Sequence, residues 1–158
     1  MISLEDEIEV ITKNEKKLCR GIAIPSGMTH TANTNKNKVL VFLFDNTTGI
    51  ANLQKYDVIG FASGIDFGKF YIEIEEFAKE NLPDKKQVFF LYTCAMDRKG
   101  FTNSMKEIAL EKQSVILGEY GCKGYNTYGP WKVIGGMNKK HPTEDEKLLA
   151  IEFFEGLA

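Results

Sequence analysis

The chain has 158 residues, 43% of them hydrophobic and 27% charged, the balance of a single folded domain with a sizeable core rather than a disordered chain. A formal charge of −2 leaves nucleic-acid binding without electrostatic support, and no apolar run is long enough to span a bilayer. Cys19, Cys94 and Cys122 are widely separated, with no CxxC pair, which argues against a disulfide framework or zinc site and fits a reducing cytoplasm.

Residues 1–17 carry Ile2, Leu4, Ile8, Val10 and Ile11 among acids. This is an N-terminal extension that reads as an edge strand or an arm, without the basic start and apolar centre of a signal peptide. "CRGIAI" (19–24) has the composition of a strand, and "SGMTHTANT" (26–34) follows it with a dense cluster of small hydroxyl residues. Most such clusters are solvated turns. If a helix opens at Thr34, however, the free N–H groups of its first turn and the hydroxyls of Thr29, Thr31 and Thr34 can surround a phosphate without any lysine or arginine.

The next segment, "NTNKNKVLVFLFDN" (33–46), sets composition against topology. Its apolar run reads as a strand, but a strand ending near Ile24 must cross over before it pairs in parallel with another. That requirement predicts a helix from about Asn35 to Phe44, with Val39, Leu40, Leu43 and Phe44 facing the sheet.

From residue 56 onward the pattern is regular. "YDVIGFA" (56–62), "QVFFLYT" (87–93) and "SVILGEY" (114–120) are continuous apolar runs, as expected of strands buried on both faces. Phe70, Ile74 and Phe77 share a helical face ending near Pro83, and Met105, Ile108 and Ala109 share another. In "HPTEDEKLLAIEFF", Thr143 and Glu146 have the spacing of a capping box. Strand and helix alternate, so the expected fold is α/β: a doubly wound parallel sheet with helices on both faces.

In such sheets ligands gather at the carboxyl ends of the strands. Three loops stand there. They are "THTANT" (29–34), "ASGIDFGKF" (62–70) with two glycines around Ile65, Asp66 and Phe67, and the stretch opening "TCAMDRKGF" (93–101). A fourth, 121–142, is long and rich in glycine and aromatics, and long loops in compact domains are usually functional.

These motifs resemble the flavodoxin family. "THTANT" is similar to its T-x-T-G-N-T phosphate loop, with Ala32 at the glycine position. "YDVIGFASGIDFGKF" resembles the third strand and following loop of short single-domain members, and "CKGYNTYGPWKVIGGMNKKHP" their C-terminal loop. The resemblance spans residues 18–158 and implies a five-stranded parallel sheet of order 2-1-3-4-5 binding FMN. By that resemblance Thr29, His30, Thr31, Ala32, Asn33 and Thr34 hold the phosphate. Ser63, Gly64, Ile65, Asp66, Phe67 and Gly68, with Thr93, Cys94, Ala95 and Met96, flank the flavin ring. "KVLVFLFDNTTGIANL" itself echoes a flavodoxin first strand and loop. That assignment is set aside, because too few residues would remain for a helix and a strand before Tyr56.

The implied function is FMN-based electron transfer to redox partner proteins through transient contact, by a cytoplasmic monomer or weak homodimer with no nucleic-acid or membrane role. Two alternatives share the scaffold: an FMN-dependent quinone or NAD(P)H oxidoreductase, and a module that no longer binds FMN. Outside the site, Tyr125, Tyr128 and Trp131 read as loop anchors, Cys94 as a small buried residue, and Lys139, Lys140 and His141 as a solvated basic turn.

Overall fold

The computed structural model describes residues 7–11, 38–43, 53–126 and 133–157. The chain is α/β. Its strands are β1 (Glu7–Ile11), β2 (Lys38–Leu43), β3 (Val58–Asp66), the two-residue β4 (Lys69–Phe70), β5 (Gln87–Cys94) and β6 (Val115–Lys123). Five of them run parallel in the order β1-β2-β3-β5-β6, while β4 folds back antiparallel on β3. The helices are α1 (Ile72–Asn81), α2 (Asn103–Glu111) and α3 (Glu144–Glu155). None of the described helices is long and apolar enough to cross a membrane.

The centre of the sheet is buried on both faces, as the continuous apolar runs require. Ile59 and Phe61 of β3 and Val88 and Phe90 of β5 point to one face, where they meet Ile74 and Ala78 of α1, Leu82 at its C-cap, and Met105 and Ala109 of α2. Residues 74, 78 and 82 recur every fourth position, one stripe of a 3.6-residue helix. The opposite face belongs to α3, whose Phe153 and Phe154 pack edge-on against Phe89. Helices therefore cover both faces.

Three expectations are corrected. The helix foreseen from Asn35 to Phe44 is not formed: residues 38–43 are β2, pairing Val39 with Val58 and Leu43 with Ala62 on one side and with β1 on the other. An unbroken run of Val, Leu and Phe loses side-chain freedom in a helix and packs well in a sheet with a ladder on each edge. Composition prevails here, because the crossover argument assumed that the strand preceding this segment was the neighbour of β3. The strand expected at 19–24 lies outside the described residues.

The strand order differs as well. In the order 2-1-3-4-5 the chain's first strand lies inside the sheet, whereas here the first described strand, β1, is at the edge and the second lies beside β3. The N-terminal segment supplies an edge strand that the alternation of the later chain does not call for.

The stretch 62–70, read as an open loop, is a hairpin. β3 runs on to Asp66, Phe67 and Gly68 turn with φ of 47° and 88°, and Lys69 pairs back with Asp66. Positive φ at both central residues is the geometry of the tight turn that matches the twist of paired strands. At α3 the capping box forms: Glu146 N–H donates to Thr143 Oγ1 (3.2 Å) and Thr143 N–H donates to Glu146 Oε2 (2.7 Å).

Candidate functional site at the carboxyl edge

Parallel register brings the ends of β3, β5 and β6 into line. Ser63 is level with Tyr92 and Gly121, and Gly64 with Thr93 and Cys122. The expected ring-flanking groups, 63–68 and 93–96, thus lie on neighbouring strands at one edge. The expected phosphate-binding residues Thr29, His30, Thr31, Ala32, Asn33 and Thr34 lie outside the described residues. The helix whose N-terminus was to face the phosphate is replaced by β2.

Each group at the edge is held by something local. Ser63 is buried, and its hydroxyl donates to Gly64 O (2.6 Å) and accepts from Tyr71 N–H (3.2 Å). It is a bracket between β3 and the start of α1, with its hydrogen-bonding capacity spent on the protein. Gly64 has the Tyr71 ring against it; an added Cβ would lie 3.0 Å from the phenol oxygen. The Tyr71 hydroxyl is pushed above its ordinary value by burial, then by the Asp66 and Glu73 carboxylates. Ile65 packs against the core from the hairpin, and Asp66 is exposed.

Phe67 is the most exposed aromatic residue of this edge. It occupies the tip of the hairpin turn and is 87% exposed, and an added Cβ at its neighbour Gly68 would meet nothing within 4 Å. Behind the hairpin, Phe70 is fully buried and packs edge-on against Phe90 and Tyr92. The hairpin base is therefore fixed, and its tip carries the exposed Phe67 and Gly68.

On β5, Thr93 and Cys94 are buried and Met96 is exposed. The Cys94 thiol donates to Cys122 O at 3.6 Å. Burial first, and then Asp97, push it above its ordinary value, with Lys123 opposing. Cys122 is pushed up to about 12, chiefly by burial. Both are free, and because Cys122 is level with Thr93 they leave the sheet on opposite faces. Cys94 is a packing residue, as the sequence suggests. Ala95 contributes its carbonyl, which accepts from Asn138 Nδ2 at 2.8 Å.

Asn138 was not singled out from the sequence. Its amide also donates to Gly124 O (3.3 Å), while Gly124 N–H donates to Cys94 O (2.9 Å). One side chain thereby ties the 133–142 loop to the ends of β5 and β6. Its φ of 59° follows Gly135 and Gly136 at 79° and 95°. The signal in the sequence was "GGMN", two glycines and an asparagine, the residues that enter left-handed backbone most readily. Tyr125 anchors the same loop by donating to Gly135 O (3.0 Å), whereas Tyr128 and Trp131 lie outside the described residues. His141 is not a solvated residue: it is partly buried against Glu146. Among the described residues no group of three or more His, Cys, Asp or Glu side chains could hold a metal ion.

No family model matches the chain. It is 38% identical over 107 residues to the uncharacterized protein MJ0298 of Methanocaldococcus jannaschii, an alignment covering 66% of this chain and 71% of the relative. The chain belongs to the same family as that archaeal protein.

Proposed function

We propose that this chain is a flavodoxin-like, FMN-binding electron carrier whose flavin ring lies at the carboxyl edge, between the Phe67 hairpin and the 93–96 turn. The observation that carries this reading is the exposed aromatic ring of Phe67, held on a tight turn beside the end of β5. Presenting Phe67 to water in a left-handed conformation is unfavourable twice over, and a flat aromatic ligand covering the ring would offset the exposure.

The residues present suit the ring half of such a site. Phe67 supplies a stacking face, Met96 a second exposed apolar side chain, and the turns after β3 and β5 supply backbone groups next to them. Ser63 and Cys94, buried and hydrogen-bonded, and the buried Thr93 would hold the walls rather than touch the ligand. FMN would supply the electron store, filled and emptied one electron at a time. The chain's part is to bind the ring, keep one edge accessible and release electrons to proteins in transient contact.

The phosphate half has to be reassigned. With β2 beside β3 and β1 outside it, β2 stands where a 2-1-3-4-5 sheet has its first strand. The objection that too few residues separate β2 from Tyr56 then loses its force, because the outer strand comes from the N-terminal segment. In the sequence Asn46, Thr47, Thr48 and Gly49 follow β2, and they take the place of 29–34 as the phosphate candidates. They too lie outside the described residues.

The strand at 38–43 also favours a second reading, a flavodoxin-like module without FMN, since it removes the helix N-terminus on which the first phosphate cradle rested. Titration with FMN and with riboflavin, followed by flavin fluorescence, separates the two. Tighter binding of FMN than of riboflavin supports the carrier; no binding of either flavin overturns it.

A further inference from the structure

The charges around the carboxyl edge do not follow the charge of the chain. Arg98 and Lys99 come just after Ala95, Lys123 ends β6, and Lys139 and Lys140 follow Asn138. The three segments are tied at one place by the bonds of Asn138 to Ala95 O and Gly124 O and of Gly124 N–H to Cys94 O. The segments joined there carry five cations and one acid, Asp97, with the Glu146 carboxylate beside them on the Lys123 backbone and His141, on a chain whose formal charge is −2. All five are exposed. None is in an ion pair among the described residues, where the pairs are formed by Lys69, Lys106, His141 and Lys147.

Apolar side chains stand exposed in the same segments: Met96 (53%), Val133 (89%) and Ile134 (65%). Arg and Met beside exposed aliphatics are typical of protein interfaces, whereas a nucleic-acid surface is a basic face on a basic domain. We infer that the junction of the 96–99, 123–126 and 133–140 segments is a docking surface for an acidic partner protein. An excess of like-charged cations in one place is unfavourable for the isolated chain, and an acidic surface laid on them supplies opposite charge and steers the encounter. That the partner is a redox protein rests on the electron-carrier reading; that it is acidic rests on the charges alone.

The test titrates the full chain, without flavin, with an acidic two-iron ferredoxin and separately with the basic protein cytochrome c, reading backbone amide shifts. The ferredoxin should bind with shifts confined to 96–99, 123–126 and 133–140, and binding should weaken between about 20 mM and about 300 mM salt as the Debye length contracts. The double reversal K139E/K140E should weaken it about tenfold while leaving the remaining shifts in place, since both side chains are exposed and unpaired. Failure of the ferredoxin to bind at low salt, preference for cytochrome c, or indifference to K139E/K140E overturns the inference. So does equally tight binding of a duplex oligonucleotide or of phosphatidylserine vesicles. Ferredoxin binding by a chain that takes up no flavin would sink the electron-carrier reading and leave the acidic partner standing.

Discussion

The imidazole Nδ1 of His141 lies 2.8 Å from Oε2 of Glu146, the same carboxylate that accepts the Thr143 N–H at the start of α3. Glu146 also takes a backbone hydrogen bond from Lys123, and its own carbonyl accepts the Tyr120 hydroxyl at 2.7 Å. One residue thus closes the cap of α3, fixes the end of the 133–142 loop and joins both to β6.

This junction predicts acid sensitivity. Burial alone would raise the Glu146 carboxyl, but the bonds from Thr143, His141 and Lys123 hold it below its ordinary value. A group lowered on folding stabilises the native state above its unfolded value and loses that contribution as pH falls through the folded one. Stability should therefore decline as pH drops below about 4.3, the ordinary glutamate value. Glu146→Gln should flatten that part of the curve, and Glu146→Ala should cost about 1–2 kcal/mol at neutral pH, the worth of a lost cap. Denaturant melts across pH check both.

The close approach of Phe89 to β3 makes a second prediction. Gly60 and Phe89 are partners in the ladder, and a Cβ at Gly60 would lie 2.3 Å from Phe89 Cζ. Phe89 is fully buried and contacted by Phe153 and Phe154, so its ring cannot withdraw cheaply. Gly60→Ala should destabilise by about 1–3 kcal/mol, read as a lower unfolding midpoint with an unchanged slope.

Phe67 sets stability against binding. The turn demands positive φ at residues 67 and 68, and Asn-Gly satisfies that better than Phe-Gly. Phe67→Asn should raise stability by about 0.5 kcal/mol, part of the gain from removing a left-handed Phe, while weakening FMN and riboflavin binding alike. An unchanged flavin affinity would remove Phe67 from the site.

The two phosphate assignments separate by a pair of variants. Thr48→Val should weaken FMN by about 1–3 kcal/mol, the cost of a lost hydrogen bond to a charged group, and leave riboflavin unaffected. Thr34→Val should change neither. The reverse pattern would restore the 29–34 loop.

The later two-thirds of the fold was legible because its signals agree with one another. Val58–Ala62 and Val88–Leu91 are continuous apolar runs, and Thr143 and Glu146 announce the start of α3. The first third was not, because two legitimate rules give opposite answers for residues 38–43, and the topological one fails there. The wrong premise was the identity of the neighbouring strand, a long-range fact that no local pattern encodes. At the carboxyl edge, the motif names Gly64 and Phe67 as ring-flanking residues, and the structure puts them on β3 and its hairpin turn. Asn138 was missed, because its importance comes from carbonyls at residues 95 and 124, far away in sequence.

The central claim is that a flavin ring lies between the β3 hairpin and the turn after β5. Amide shifts of the full chain on titration with FMN test it most directly. The account predicts the largest shifts at Gly64–Gly68 and Ala95–Asp97, with the α3 face around Phe154 unmoved. Shifts centred elsewhere, or none at saturating FMN, would contradict it.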